Sequence, residues 1–392
     1  MSAVEASAVE LSRVTGLSPN RIPLAELAQS HLDEAERLMT VCNSCRYCEG
    51  LCAVFPAMEM RRSFSSGDLN YLANLCHNCG ACNADCQFAP PHEFSVNVPK
   101  TLAQVRNDSY ARYAWPGALA PLFRRNGLVV SLVAALSVSG FMLGFALWHD
   151  PAVLFGVHVG QGAFYRLMPH NTMAAIFGAA FMWSLLAIFM SCVSFWRAIG
   201  EPAATLTDPQ ALKGGARDAA TLKYLDGGGQ GCMNASDQPD DNRRLYHHLT
   251  FYGFMLCFAA TGVATLYHYL LGREAPYPIW DLPVVLGTLG GIGLTIGTAG
   301  LLAAKWRRDP QLLDESRTGM DVAFILMLLL TAVSGILLLV LRATPLMGVT
   351  LALHLGFVFG FFLTLPYGKF MHGIFRGLAL VRYAAERRRH LA

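Results

Sequence analysis

Charged side chains are scarce in this chain. Asp, Glu, Lys and Arg make up 15% of its 392 residues, and the formal net charge is +3. There is no long basic run and no interleaving of aromatic with basic residues, so no nucleic-acid partner is expected. Residues 1–40 are polar and acidic, without the short apolar core and small-residue cleavage site of a secretory signal. A serine nucleophile elbow, a phosphate loop, a flavin fingerprint and a paired-carboxylate site are all missing. A chain so equipped does not bind and convert an organic substrate by itself. What it has in excess is apolar surface: 54% of residues are hydrophobic and the mean hydropathy is +0.37, which is a membrane signature.

Eight of the 11 cysteines fall into two runs. Cys42, Cys45, Cys48 and Cys52 read C-x2-C-x2-C-x3-C, and Cys76, Cys79, Cys82 and Cys86 repeat that spacing. The repeat supplies the ligand set for two [4Fe–4S] clusters, since each cubane needs one thiolate per iron corner. In two-cluster ferredoxins the fourth Cys of each run serves the other cluster. That rule predicts Cys42, Cys45, Cys48 and Cys86 for one centre and Cys52, Cys76, Cys79 and Cys82 for the other. Structural zinc would use the cysteines in pairs and leave the third of each run idle. Ala53 and Gln87 stand where bacterial ferredoxins carry Pro, which argues against a β-rich ferredoxin fold. Residues 23–39 show helical spacing (Leu24, Leu27, Ala28, His31, Leu32, Ala35, Leu38), and residues 53–75 hold good helix formers without alternation. The expected module is α-helical and covers residues 1–125.

From residue 126 to 392 the sequence predicts a six-span membrane domain, with apolar stretches at about 128–148, 173–195, 249–271, 282–304, 322–341 and 350–371. Lys and Arg crowd one side of these spans: Arg124 and Arg125, the middle loop 196–246, the 305–317 loop, and the C-terminal segment. Arg166, Arg273 and Arg342 fall on the other side. The positive-inside rule then puts both termini and the clusters in the cytoplasm of a bacterium, with the spans in its inner membrane among lipid. Loop 196–246 carries Gly227 to Gly229, Gly231 and Cys232. Its glycines suit either close approach to a cofactor or a flexible linker, and Cys232 reads as a ligand, a reactive thiol or a bystander. Cys192 and Cys257 sit in spans as small apolar residues. The glycine-rich fourth span (Gly287 to Gly300) has no preceding strand and reads as a helix-packing face, not a nucleotide site.

Ionisable groups in a span are functional candidates by default. His247 and His248 open the third span and His268 lies near its far end. His354 and His372 take matching depths in the sixth. Depth therefore pairs His268 with His354, and His247 or His248 with His372, as axial ligands for one or two b haems. His354 and His372 are five helical turns apart, about 27 Å on one face of a continuous helix. His247 is closer than His248 to the face of His268 on an unkinked helix, but Gly253 and Gly262 allow a bend, so both stay open. His149, His158 and His170 read as mostly solvated, with His170 in reserve.

The doubled cysteine run, the Tyr-Leu-x-Gly-Gly-Gly-x-Gly-Cys loop at 224–232, the Arg-Arg-x-Tyr-His-His-Leu-Thr-Phe-Tyr-Gly stretch at 243–253 and the Leu-Tyr-His-Tyr segment at 266–269 together resemble the TcuB/CitB family. These are membrane proteins of tricarballylate and citrate utilisation, also seen as the C-terminal half of CobZ-type fusions. The resemblance implies two [4Fe–4S] centres, b haem and a cytoplasmic FAD-dependent dehydrogenase, such as tricarballylate dehydrogenase, as partner. It implies that the chain re-oxidises the partner's flavin and passes electrons to the membrane. Quinone is the expected acceptor, because the redox ligands lead into lipid. Two other classes compete: a membrane-bound iron–sulfur sensor or assembly factor, needing no haem, and a transporter with an appended ferredoxin. A sensor would bring an output domain and a transporter broken helices with polar midpoints, and the sequence displays neither.

Overall fold

The computed structural model describes residues 24–391 except Gln230 and residues 235–237. Among the described residues it is all-α apart from one two-residue hairpin, β1 (Cys232–Met233) against β2 (Pro239–Asp240). The N-terminal module is built from α1 (Leu24–Cys45), α2 (Val54–Glu59), α3 (Ser66–Leu75), α4 (Ala81–Ala84) and α5 (Val98–Arg112). Helix α1 begins within the stretch read as helical; Pro23 lies outside the described residues. It continues to Cys45, so the first two cysteines project from its last turn. Helix α3 starts on a capping box in which Ser65 and Asp68 satisfy each other's backbone N–H groups.

Among the described residues six helices are long and apolar enough to cross a membrane. Their α-helical parts are α6 (Asn126–Trp148), α8 (His170–Ala198), α10 (Asn242–Leu271), α11 (Leu282–Trp306), α12 (Thr318–Leu341) and α13 (Met347–Thr364). The short α7 (Pro151–Leu154), α9 (Pro209–Ala220) and the C-terminal α14 (Met371–Leu391) complete the fold. On α6 the residues Leu128, Leu132, Leu136, Leu143 and Leu147 are all exposed, a stripe suited to lipid.

The sixth span corrects one expectation. It does not run unbroken from residue 350 to 371: α13 ends at Thr364, a 3₁₀ turn covers Leu365–Tyr367, and α14 starts afresh at Met371. Pro366 has no N–H to give the Phe362 carbonyl, and the Ser184 hydroxyl of α8 donates to that carbonyl instead. His354 and His372 therefore lie on different helices, and the five-turn phase relation does not hold.

The glycines of α11 pack against α10. A Cβ on Gly290 would come within 2.8 Å of the Cys257 backbone nitrogen, one on Gly297 within 2.5 Å of Thr250 Oγ1, and one on Gly300 within 2.3 Å of the Tyr246 ring. Residues 246, 250 and 257 share one face of α10, so this seam fixes how α10 is rotated about its axis.

The module and the helical bundle share one hydrophobic core, which runs from Leu32 and Tyr71 through Phe195 to Phe375 and Leu380. Polar ties reinforce it. Arg61 pairs with Asp68 at 2.8 Å and Glu386 at 2.5 Å, and the Tyr71 hydroxyl donates to Glu386 at 2.9 Å. Between α11 and α12, Arg317 pairs with Asp108, which also binds His31 at 2.6 Å. Asn78 and Asn97 donate to the Leu312 and Gln311 carbonyls.

Candidate functional site

Each cysteine run turns through a left-handed residue just after its second cysteine, Arg46 with φ 55° and Gly80 with φ 87°. That turn folds the following cysteine back toward the first two. The structure gathers the eight thiols around two cavities. Cys42, Cys45, Cys48 and Cys86 line one, and Cys82 also borders it. Cys52, Cys76, Cys79 and Cys82 line the other. Each run thus lends its last cysteine to the other's cavity, the exchange that two-cluster ferredoxins use. Gln87, in place of the usual proline, points its amide at Cys45 Sγ from 4.0 Å.

The donor set suits iron–sulfur chemistry. Among the described residues no three His, Cys, Asp or Glu side chains gather tightly enough to hold a single metal ion. Four thiols spread around the walls of a cavity fit a cluster, which presents one iron to each. Burial pushes the Cys42 and Cys48 thiols up to about 12, helped by neighbouring cysteines of the same cavity. Cys79 rises to about 11, and Cys52 and Cys82 also rise, again from burial first. Such thiols ionise together only against bound positive charge, which iron supplies.

Loop 196–246 is packed on the second run. Met233 donates its N–H to the Cys79 carbonyl at 2.8 Å, and a Cβ on Gly227 would meet Ala81 at 2.9 Å and Cys79 Sγ at 3.9 Å. Its glycines serve close approach, as one of the two readings required. Cys232 is buried, gives its thiol hydrogen to the Leu225 carbonyl and borders neither cavity.

His247 of α10 faces His372 of α14. Their ring centroids are 6.0 Å apart and their planes cross at 77°. A facing pair of imidazoles is a donor set that would hold a haem iron. His372 Nδ1 lies 2.5 Å from the Lys369 carbonyl. Donating there fixes the tautomer that leaves Nε2 free to ligate. Burial and then Arg376 hold its pKa well below the usual value, which keeps the ring neutral. The glycine seam explains the choice between neighbours. With Tyr246 turned onto Gly300, His247 is about 100° around the helix, toward α14. His248 is a further step away, where it stacks on Tyr252.

At the far end of the bundle the expected partners are not brought together. His268 stacks on His170, with centroids 3.5 Å apart and planes at 16°, inside a cage of Tyr165 and Tyr269. His354 instead packs on α12, over Gly335 and with Nδ1 3.0 Å from Ser334 Oγ. Depth paired His268 with His354, but the azimuth of α13 turns His354 toward α12. His158 is buried, contrary to expectation, and bonds the Val153 carbonyl at 2.8 Å, while His149 stays half-exposed and bonds the Leu167 carbonyl at 2.8 Å.

Sequence reasoning did not single out a set of arginines. Arg106 and Arg376 donate to the Cys76 carbonyl at 2.7 and 2.9 Å, and Arg243 donates to Asn78 and His77 carbonyls at 2.6 and 3.3 Å. Arg308 reaches Asn78 O and Oδ1 at 2.5 and 3.0 Å. The helical offsets were available as a signal: Arg243 lies one turn before His247, and Arg376 one turn after His372. Between them sits His77, buried, its Nδ1 2.9 Å from the Leu75 carbonyl and its pKa held well below normal by burial and then Arg376.

Comparison with known proteins assigns both halves of the chain to one family. The family model described as the Citrate utilization protein B Fer4-like domain matches residues 35–112, and that described as Citrate utilization protein B matches residues 121–392. The chain is 51% identical over 362 residues to Citrate utilization protein B of Escherichia coli, covering 91% of this chain and 93% of that one. No solved structure matches. With a ferredoxin-like module on six apolar helices and matches along nearly its whole length, the chain belongs to the citrate utilization protein B family.

Proposed function

We propose that the protein is a membrane-bound electron carrier that accepts electrons from the reduced FAD of a dehydrogenase and delivers them to quinone. The observation that carries this reading is the series of sites through the fold: two four-cysteine cavities, then the Cys76–Asn78 turn, then the half-buried His247–His372 pair where the bundle begins. In this proposal Cys42, Cys45, Cys48 and Cys86 hold one [4Fe–4S] cluster and Cys52, Cys76, Cys79 and Cys82 the second, while His247 and His372 hold one b haem. When bound, these groups supply one-electron chemistry, which divides the two-electron oxidation of a flavin into single steps. The chain's own part is spacing and environment. Tyr47 and Phe94 leave exposed apolar surface near the first cavity, where a dehydrogenase would dock. Arg243 and Arg376 grip the second run from the helices that carry His247 and His372. The positive side of the bundle, with the cysteine module, lies in the cytoplasm, and the spans in the bacterial inner membrane. The histidine pair is what favours an electron carrier over a sensor or a transporter, neither of which needs it.

The test is a dithionite-reduced minus oxidised spectrum of the detergent-purified protein, with pyridine haemochrome quantitation and iron analysis. One b haem and about eight further irons per chain are expected from two cubanes. Clusters without haem would overturn the histidine assignment and favour the sensor reading. Failure of a dehydrogenase-driven assay to reduce a quinone analogue would overturn the acceptor.

A further inference from the structure

The two cysteine cavities differ sharply in the charge around them. Arg106, Arg243, Arg308 and Arg376 converge on the main chain of residues 73–78, which carries Cys76. Arg106 and Arg308 are 5% and 9% exposed. Among the described residues none of the four enters an ion pair with a carboxylate; all donate to carbonyl groups, which leaves their positive charge uncompensated. Buried charge is retained only where an opposite charge meets it. The first cavity has no such set: Arg46 is exposed and spends its guanidinium on the Asn43 carbonyl, and the Asp85 carboxylate lies near enough to Cys48 to disfavour its thiolate.

We propose that these four arginines raise the reduction potential of the centre held by Cys52, Cys76, Cys79 and Cys82 above that of the centre held by Cys42, Cys45, Cys48 and Cys86, so that electrons run inward toward His247 and His372. The inference rests on the iron–sulfur reading above. Adding an electron makes a thiolate-bound cluster more negative, and nearby positive charge favours that state. Burial alone acts the other way, since the inner cavity is the less exposed of the two and an extra charge is costly to bury. The arginines must therefore overcome burial for the order to hold. The step concerned makes and breaks no bond: one centre is oxidised as the other is reduced, with a reduced flavin as the electron source.

The experiment is an EPR-monitored redox titration of the full-length protein carrying its clusters. Comparing Cys45→Ser with Cys79→Ser assigns each signal to its centre and gives the order of the two potentials without touching an arginine. The signal lost in Cys79→Ser is expected to have the higher potential. It should move to lower potential in Arg308→Gln and Arg376→Gln, stay in place in Arg308→Lys, and leave the other signal unmoved. A lower potential for that signal in the unsubstituted arginine background, or an unmoved one in both glutamine variants, overturns the inference. Absence of any cluster signal would instead overturn the proposed function.

Discussion

The rings of His247 and His372 meet at 6.0 Å although 125 positions separate them in the chain and they lie on different helices. The contact depends on two separate devices. A glycine seam turns α10 so that His247 faces inward, and the break after Thr364 lets α14 approach at its own angle.

Removing a haem ligand should leave the module intact. His372→Ala and His247→Ala are each expected to abolish the b-haem absorption bands while iron–sulfur EPR signals persist. His248→Ala should retain haem, because its ring stacks on Tyr252 away from His372. Haemochrome quantitation on the three variants separates these outcomes; loss of haem only in His248→Ala would reverse the assignment.

Each cavity should be separable by a single thiol. Cys45→Ser and Cys79→Ser are each expected to lower iron by about half and to stop electron transfer to a quinone analogue, since each removes one corner of one four-thiol set. Full iron content in either variant would refute the grouping of cysteines.

The glycine seam should be sensitive to volume. Gly300→Val places atoms where the Tyr246 ring now lies, and Gly297→Leu does so at Thr250. Overpacking of this kind costs about 1–3 kcal/mol. Both variants should lower the unfolding temperature in detergent and reduce haem content, because α10 can no longer hold its rotation. Gly287→Ala, 3.7 Å from the Ala260 side chain, should be silent in the same melt.

Attachment of the module to α14 should weaken in acid. Burial raises the Asp68 pKa, but hydrogen bonds from Ser65 and Arg61 outweigh it and hold the carboxyl below its ordinary 3.8. A group depressed in the folded state stabilises above its unfolded pKa, and that stability is lost as pH falls through the folded value. Melting temperature should therefore drop on acidification below about pH 4, the ordinary carboxylate range, and Asp68→Asn should flatten that dependence. An unchanged slope in the variant would assign the acid response to other carboxylates.

Local spacing carried much of this protein. A thiol every third position makes a four-thiol turn wherever the backbone allows one, so Cys42 to Cys52 and Cys76 to Cys86 were legible without coordinates. Twenty or so apolar residues in a row leave few alternatives to a membrane-length helix, which made the six spans legible too. The glycine face of α11 was readable for the same reason, as small residues at helical spacing admit a neighbouring backbone.

What only the tertiary structure decided was direction around each helix and contact between distant segments. Depth along a helix can be counted in residues, whereas azimuth is set by what the opposite face packs against. His354, matched to His268 by depth, is therefore turned to Ser334, and His170 stacks on His268 instead. The arginines followed the same logic: Arg106, Arg243, Arg308 and Arg376 come from four separate stretches and converge only because α5, α10, α14 and the loop after α11 pack around one cysteine turn. A sequence records which charges exist, but their sum at a point depends on distances that folding creates.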